Sequence, residues 1–521
     1  MAKTKLFLYL LCFLSLNAAF AQGTPNNEVI YHVFQRSFFD SNADGNGDLE
    51  GIRLKLDYLQ KLGVTSILLT PLYQSDFYHN YFATDFEKID AEYGTFSEYR
   101  QLVEEVHKRK MKIYQDVEMQ YVTGSHPWFT GSYKKPASAY SSYLVYNDKK
   151  NEKPWYFFNA PEFTTYNNRK EQIIVVNLKD KKVKEYTLKV LKYWADPNAD
   201  GSFEDGIDGY RLDHMMDNLD NANKLTNLFK EFWTPILTDL KKVNPALQIV
   251  AEQADWASYG YDYMIKGGVD MVFAFRLKQA ITSFNKKAII AAADSSFNYL
   301  PANKRQVVFI ENHDTKRFAS EVGGNPDKLK VGAALNILMG GIPSLYYGQE
   351  LGMKGEQANG GTDGNDIPVR EAFEWFAAEE GKGMALWYKG TGAWWDNRNT
   401  NPNDGISLEE EEKDPNSIYN YYKKLLYLKR VEDALTNGVY ENIPNTGEHT
   451  LCFIRTSGLG QVLVIINLSD TPELALLNGQ DKVRLDKLRL LSGSDKVAFP
   501  RGGRGITLPA YGVQVWKVMK K

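Results

Sequence analysis

The 521-residue chain has only two cysteines. Cys12 falls in an N-terminal stretch that reads as removable. That leaves Cys452 alone, so no intrachain disulfide can staple the mature chain. Basic charge is not in excess. Sixty-two Lys and Arg against 65 Asp and Glu give a net charge of −3, which offers no field for nucleic acid. Beyond the first residues no apolar run is long enough to span a bilayer. Internal repeats and long low-complexity segments are also missing, and the acidic run Glu409–Lys413 reads as solvated surface.

What remains is an ordinary globular composition, 43% hydrophobic and 24% charged, long enough for a large core and more than one domain. Aromatics reach 13%, which suits sugar-stacking surfaces, although core packing also uses them. Lys3 and Lys5, the apolar run Leu6–Leu16 and Ala19-Phe20-Ala21 before Gln22 have the layout of a signal peptide over residues 1–21. Export to the periplasm or medium is therefore expected. A membrane anchor is the alternative, but the run is short for a span. Cys12 is not placed next to the cleavage site, where a lipid-attachment cysteine would stand.

Strand and helix patterns alternate from Val29 to about Arg430. Short apolar runs at Val29–Phe34, Val64–Leu69, Met111–Val117, Gly206–Leu212, Leu247–Ala251, Val269–Phe273, Gln306–Ile310 and Ile342–Tyr346 make eight strands. Amphipathic stretches between or after them, among them Phe96–Lys108, Lys181–Trp194, Leu225–Lys242, Leu277–Ala292, Lys328–Met339 and Ile418–Arg430, read as helices. Repeated strand–helix units predict a parallel α/β sheet, and eight of them favour a closed (β/α)8 barrel. Residues 121–177, rich in Tyr, Trp, Ser, Asn and Pro, are too long for a bare loop and predict a small domain inserted after the third strand. The barrel would thus occupy 22–120 and 178–434. From 435 to 521 the pattern turns alternating, which predicts a C-terminal antiparallel β-sandwich.

Three strand ends carry carboxylates. Gly206–Asp213 closes with Arg211 and Asp213, two residues apart and so on one face of a strand. A structural ion pair would explain that pair alone. Leu247-Gln-Ile-Val-Ala leads to Glu252, and Gln306–Ile310 leads through Glu311-Asn312-His313 to Asp314. In a barrel, C-terminal strand ends converge on one mouth.

These segments together resemble the α-amylase family, the family 13 glycoside hydrolases. Gly209-Tyr-Arg211-Leu-Asp213, Glu252 and Asn312-His313-Asp314 look like three of its signature regions in order. Gly341–Glu350 resembles its last barrel strand and Asp48–Val64 its opening. His126-Pro-Trp-Phe129 resembles its inserted domain, and Ala510–Trp516 the end of its terminal domain. The resemblance implies Asp213 as nucleophile, Glu252 as general acid/base and Asp314 as the third carboxylate. It also implies Arg211 holding Asp213, His313 at the sugar and Tyr81 as a stacking ring. The third-strand signature, usually Asp-x-Val-x-Asn-His, matches at Asp116 but then reads Glu118, Gln120 and Tyr121. In the family that asparagine often binds calcium and that histidine contacts sugar, so Asp116 and Tyr121 are substrate-side candidates while the calcium role of Gln120 is in question.

Asp40, Asn42, Asp44, Asn46 and Asp48 alternate along one glycine-bearing loop, a spacing that can wrap Ca2+ as the first half of an EF-hand does. The bidentate glutamate expected at the twelfth position is replaced by Gly51. The matching loop binds calcium in many family members; a plain polar turn is the alternative. Asp196, Asn198 and Asp200 repeat the pattern, where an Asx-rich turn is the simpler reading. His32, His79 and His107 lack metal-ligand spacing and read as packing or surface residues.

The expected activity is hydrolysis of α-linked glucans, such as starch, maltooligosaccharides or cyclodextrins. A transglycosylase or α-glucosidase shares the chemistry, and a non-catalytic sugar-binding relative is the contrasting class.

Overall fold

The computed structural model describes residues 27–378, 381, 383–477, 485–499 and 503–519. The expected signal segment, 1–21, lies outside the described residues. Eight parallel strands close into a barrel in chain order. They are β1 (Ile30–Val33), β2 (Ser66–Leu69), β3 (Lys112–Val117), β4 (Gly209–Met215), β5 (Gln248–Gln253), β6 (Met271–Phe273), β7 (Arg305–Val308) and β8 (Ile342–Tyr346), with β8 pairing back onto β1. Each strand is covered on both faces, which is why its residues form a nearly continuous apolar run. Alternate side chains, such as Ile30, Leu68, Tyr114, Val250, Met271 and Val307, fill the barrel interior. Their neighbours Tyr31, Ile67 and Ile113 pack outward in the main core, under the helices. Gly209 makes room inside: a Cβ there would lie 2.5 Å from the Tyr114 ring.

Several helices are more broken than their periodicity predicts. The expected Leu277–Ala292 helix is two, Phe275–Thr282 and Lys286–Asn298. Phe284 turns to φ 51° between them, and the Asn285 side chain caps the second by accepting from the Ala288 amide. The segment expected as a helix from Leu225 starts regular structure only at Phe229, with a π turn before Thr234–Val243.

After β3 the chain leaves the barrel. Tyr121–Thr123 pairs antiparallel with Ile173–Val175, and the sheet is completed by Tyr73–Ser75 and Ala83–Ile89. Those two strands come from the connection after β2, so the sheet beside the mouth is built by two excursions rather than by residues 121–177 alone. Beyond the helix Ile418–Val431, five strands from Val439–Asn442 to Val513–Val518 form one antiparallel sheet. Glu473–Leu476 and Gly505–Leu508 form another. Cys452, Leu463 and Ile465 of the first share a core with Ala475, Ile506 and Leu508 of the second, which is a sandwich. Of the alternating run Val483–Leu491, which predicts a third C-terminal strand, Val483 lies outside the described residues, and Leu488–Ser492 is a strand.

Candidate active site

The C-terminal ends of β3, β4, β5 and the segment after β7 meet at a cavity of about 300 Å³, whose walls include Glu118, Asp213, Glu252, His313 and Asp314. Strand alternation sets the directions. Asp116 and Glu118 share the inward face of β3 and its extension, as Arg211 and Asp213 share that of β4. The register places Asp116 beside Arg211 and Arg211 beside Val250, so Glu252 follows one inward position higher.

Arg211 is 1% exposed and organises the floor. Its guanidinium donates to both oxygens of Asp116 at 2.8 and 3.0 Å, to Asp213, and lies 3.0 Å from Glu252 Oε2. One cation therefore serves three carboxyls. Asp116 and Arg211 are fully buried and are not among the residues that line the cavity; Arg211 holds Asp213. Burial pushes Asp116 up to about 7, against the opposing pull of Arg211. Burial likewise pushes Glu252 up to about 7, with the charges of Asp213 and Asp314 adding to it and Arg211 resisting. Asp314 behaves oppositely. Burial penalises its charge, but His313, 2.9 Å away, and Arg370, at 2.9 Å, hold it well below the usual carboxylate range.

Tyr81 lines the cavity, with its ring stacked on His313 at 5.3 Å and 18°. Its hydroxyl donates to Asp116 at 2.6 Å and lies 2.7 Å from His313 Nε2. Tyr121 also reaches the cavity; its hydroxyl donates to Asp220 at 2.6 Å, and His214 lies 3.1 Å from the same oxygen.

The structure adds residues that patterns did not single out. Arg370, in irregular chain after β8, donates to Asp314 and to the His313 carbonyl, the latter at 3.0 Å. Nothing periodic marks it. His79, read as packing or surface, is a wall of the cavity and is kept neutral by burial. Gln120 turns its amide N–H groups to the carbonyls of Asp213 and His214, at 2.8 and 2.9 Å, while its Oε1 accepts from the Met119 amide. A cation on those carbonyls would meet N–H donors already in place.

Among the described residues no group of three or more His, Cys, Asp or Glu is placed as a metal cluster. In the Asp40–Asp48 loop the side chains make successive Asx turns. Asp40 accepts from the amides of Asn42, Ala43 and Gly45, Asn42 from that of Asp44, and Asp44 from that of Asn46. Asp48 caps the helix Leu49–Leu54. The Asp196–Asp200 loop makes nearly the same turns, but on exposed chain.

A barrel whose strand ends deliver Arg-x-Asp, Glu and His-Asp to one cavity invites comparison with known proteins. The family model described as "Alpha amylase, catalytic domain" matches residues 32–438. The chain belongs to the α-amylase family. It is 30% identical over 476 residues to alpha-amylase 3 of Dictyoglomus thermophilum, covering 90% of each chain. It is 28% identical over 516 residues to a probable oligo-1,6-glucosidase of Bacillus subtilis, covering 86% of this chain and 91% of that one. Among solved structures, the alpha-amylase from H. orenii superposes with a TM-score of 0.76 at 26% identity, over 94% of this chain and 99% of that one. The chain is thus a family 13 glycoside hydrolase with the family's barrel.

Proposed function

We propose that this enzyme cleaves α-glucosidic bonds, mainly α-1,4, in starch, maltooligosaccharides or cyclodextrins by double displacement with retention. The observation that carries the reading is the single Arg211 guanidinium in contact with both Asp213 and Glu252. Asp213 and Glu252 are also in hydrogen-bonding contact with each other, closer than the roughly 6.5–9.5 Å between the carboxyls of an inverting enzyme, which leaves no room for its attacking water. Their environments differ as the chemistry needs. Asp213 touches the guanidinium and opens to the cavity as nucleophile. Glu252 is protonated below about 7 and serves as the acid.

In the first step Asp213 attacks the anomeric carbon while Glu252 gives its proton to the departing glycosidic oxygen. In the second, water attacks the same carbon from the face the leaving group vacated. Glu252 takes the water proton, and the electron pair of the ester bond returns to Asp213. Asp314, charged and fixed by His313 and Arg370, orients sugar hydroxyls. Proton NMR of the first-formed product, on a panel of maltoheptaose, cyclodextrin, pullulan and sucrose, tests both bond preference and stereochemistry. Initial α-anomer is expected, and initial β-anomer overturns the double displacement. A product longer than the substrate would instead mark transfer to a sugar acceptor.

Two further readings belong here. The first is export, which rests on the signal-like residues 1–21. The second is one structural Ca2+ in the Asp40–Asp48 loop, held by Asp40, Asn42, Asp44, Asp48 and the Asn46 carbonyl. It is supported by two buried carboxylates, Asp40 and Asp48, that sit close enough for Asp40 to help raise the Asp48 pKa, after burial itself. Neither pairs with a basic residue among those described. The ion would supply charge balance and rigidity, and none of these residues lines the cavity.

A further inference from the structure

The end of β3 carries a side chain that the family's pattern does not supply. Glu118 stands where that pattern has valine, and it is 1% exposed. One of its oxygens accepts from the Gln120 amide, and its own amide donates to the Tyr73 hydroxyl at 3.1 Å. Its carboxyl is also in hydrogen-bonding contact with Asp213 and borders the cavity. Two carboxyls in contact cannot both be charged cheaply. The neighbourhood holds Asp116, Asp213, Glu252 and Glu118 against the single guanidinium of Arg211, with Tyr73 and Tyr121 the other titratable groups facing Glu118. Burial, then the charge of Asp213, drives Glu118 well above the usual carboxylate range, so it is the member of the pair that keeps its proton.

We propose that Glu118 is a positioning residue for the nucleophile: its carboxyl O–H donates to Asp213 and, with Arg211, fixes the angle of that carboxylate. The proposal rests on Asp213 being the nucleophile. Its effect is directional. A neutral donor on a carboxylate favours its charged form. The same donor helps most when the ester bond breaks and the electron pair returns to Asp213, that is, in the second displacement. A valine at this position offers neither effect. Glu118 sits two residues beyond Asp116 on the same strand face, so the replacement is aimed at the nucleophile and not at the solvent.

The test compares Glu118→Val, Glu118→Gln and Asp213→Asn, on the panel sugar that wild type cleaves fastest. The readout is the pH profile of kcat/KM, with circular dichroism and Tm as fold controls. In Glu118→Val the acid limb should move up by about one to two pH units, the size of a lost hydrogen bond to a charged group. At the pH optimum kcat should fall about tenfold or more, with little change in KM. Glu118→Gln keeps an N–H donor and should return the acid limb to its wild-type place. A merely structural glutamate would alter Tm in both variants and leave the limb alone. An unmoved limb in folded Glu118→Val, with Asp213→Asn inactive, overturns the proposal but not the nucleophile. An active Asp213→Asn overturns the nucleophile itself. If the valine variant does not fold, Glu118→Gln decides alone: a folded but inactive amide, or a limb displaced upward, refutes the donor role.

Discussion

The ends of β3 and β4 are hydrogen-bonded neighbours in one barrel, with Asp116 paired to Arg211, yet they solve the problem of a charged site differently. The β4 end supplies Arg211 and Asp213 as the family pattern has them. The β3 end matches that pattern at Asp116 and then departs, placing Glu118 against the Asp213 carboxyl and Gln120 against the backbone that carries it. On β4 a fixed charge balances a fixed charge. On β3 a protonated carboxyl meets the same carboxylate and an amide holds the Asp213 backbone carbonyl, without adding charge. Neighbouring strands of one active site can therefore differ in how freely their chemistry is replaced, provided that the carboxylate they hold remains in place.

The strongest way to break this comparison is to remove the β4 and β5 groups. Asp213→Asn should abolish measurable turnover. Glu252→Gln should cost about a hundred- to ten-thousand-fold in kcat, the scale of general acid–base catalysis. Both are read by reducing-sugar release, and near-normal turnover in either would remove that residue from its role. The pH profile sharpens the point. In the proposed mechanism Glu252 acts protonated, and burial pushes its pKa up to about 7. Activity should therefore fall as pH rises through about 7, and an alkaline limb near the ordinary glutamate range of about 4–5 would contradict the burial argument.

A smaller effect is expected at Gln120. Gln120→Leu leaves the carbonyls of Asp213 and His214 without their donors, at a cost of about 1–3 kcal/mol. The strand end should loosen, and kcat should fall about tenfold with KM nearly constant. Melting and single-substrate kinetics check both. Unchanged kcat would show that the amide braces the backbone without aiming the nucleophile.

How much of this was legible in the sequence follows from range. The eight strands show themselves because burial on both faces writes continuous apolar runs, and Asp213, Glu252 and Asp314 stand at the ends of such runs. The break at Phe284 was hidden because helical periodicity persists on both sides, although Asn285 is a local cap signal. Arg370 and His79 were out of reach: they come from irregular segments and matter only because the fold brings them to Asp314 and the cavity wall. Glu118 was visible as a departure, but its contact with Asp213 depends on the pairing of two strands far apart in the chain.

The smallest effect concerns two loops that look alike locally. Asp40–Asp48 and Asp196–Asp200 make nearly the same Asx turns, each with an alanine and a glycine at positive φ. Local sequence therefore accounts for the turn and says nothing about a cation. Context differs. Asp40 and Asp48 are 3% and 5% exposed and lie side by side, whereas Asn198 and Asp200 are open to water, which already solvates them. A carboxylate pair that has lost its water gains most from a divalent ion. Removing a ligand that binds only the folded state lowers Tm in proportion to its binding energy. Chelation should therefore lower Tm by several degrees in wild type and leave low-temperature turnover nearly unchanged, because none of the loop's residues lines the cavity. Asp40→Asn should remove most of the response to chelator, and Asp200→Asn should not. Equal losses of response in both variants would mean that burial does not discriminate the loops, and no response in wild type would remove calcium from the Asp40 loop.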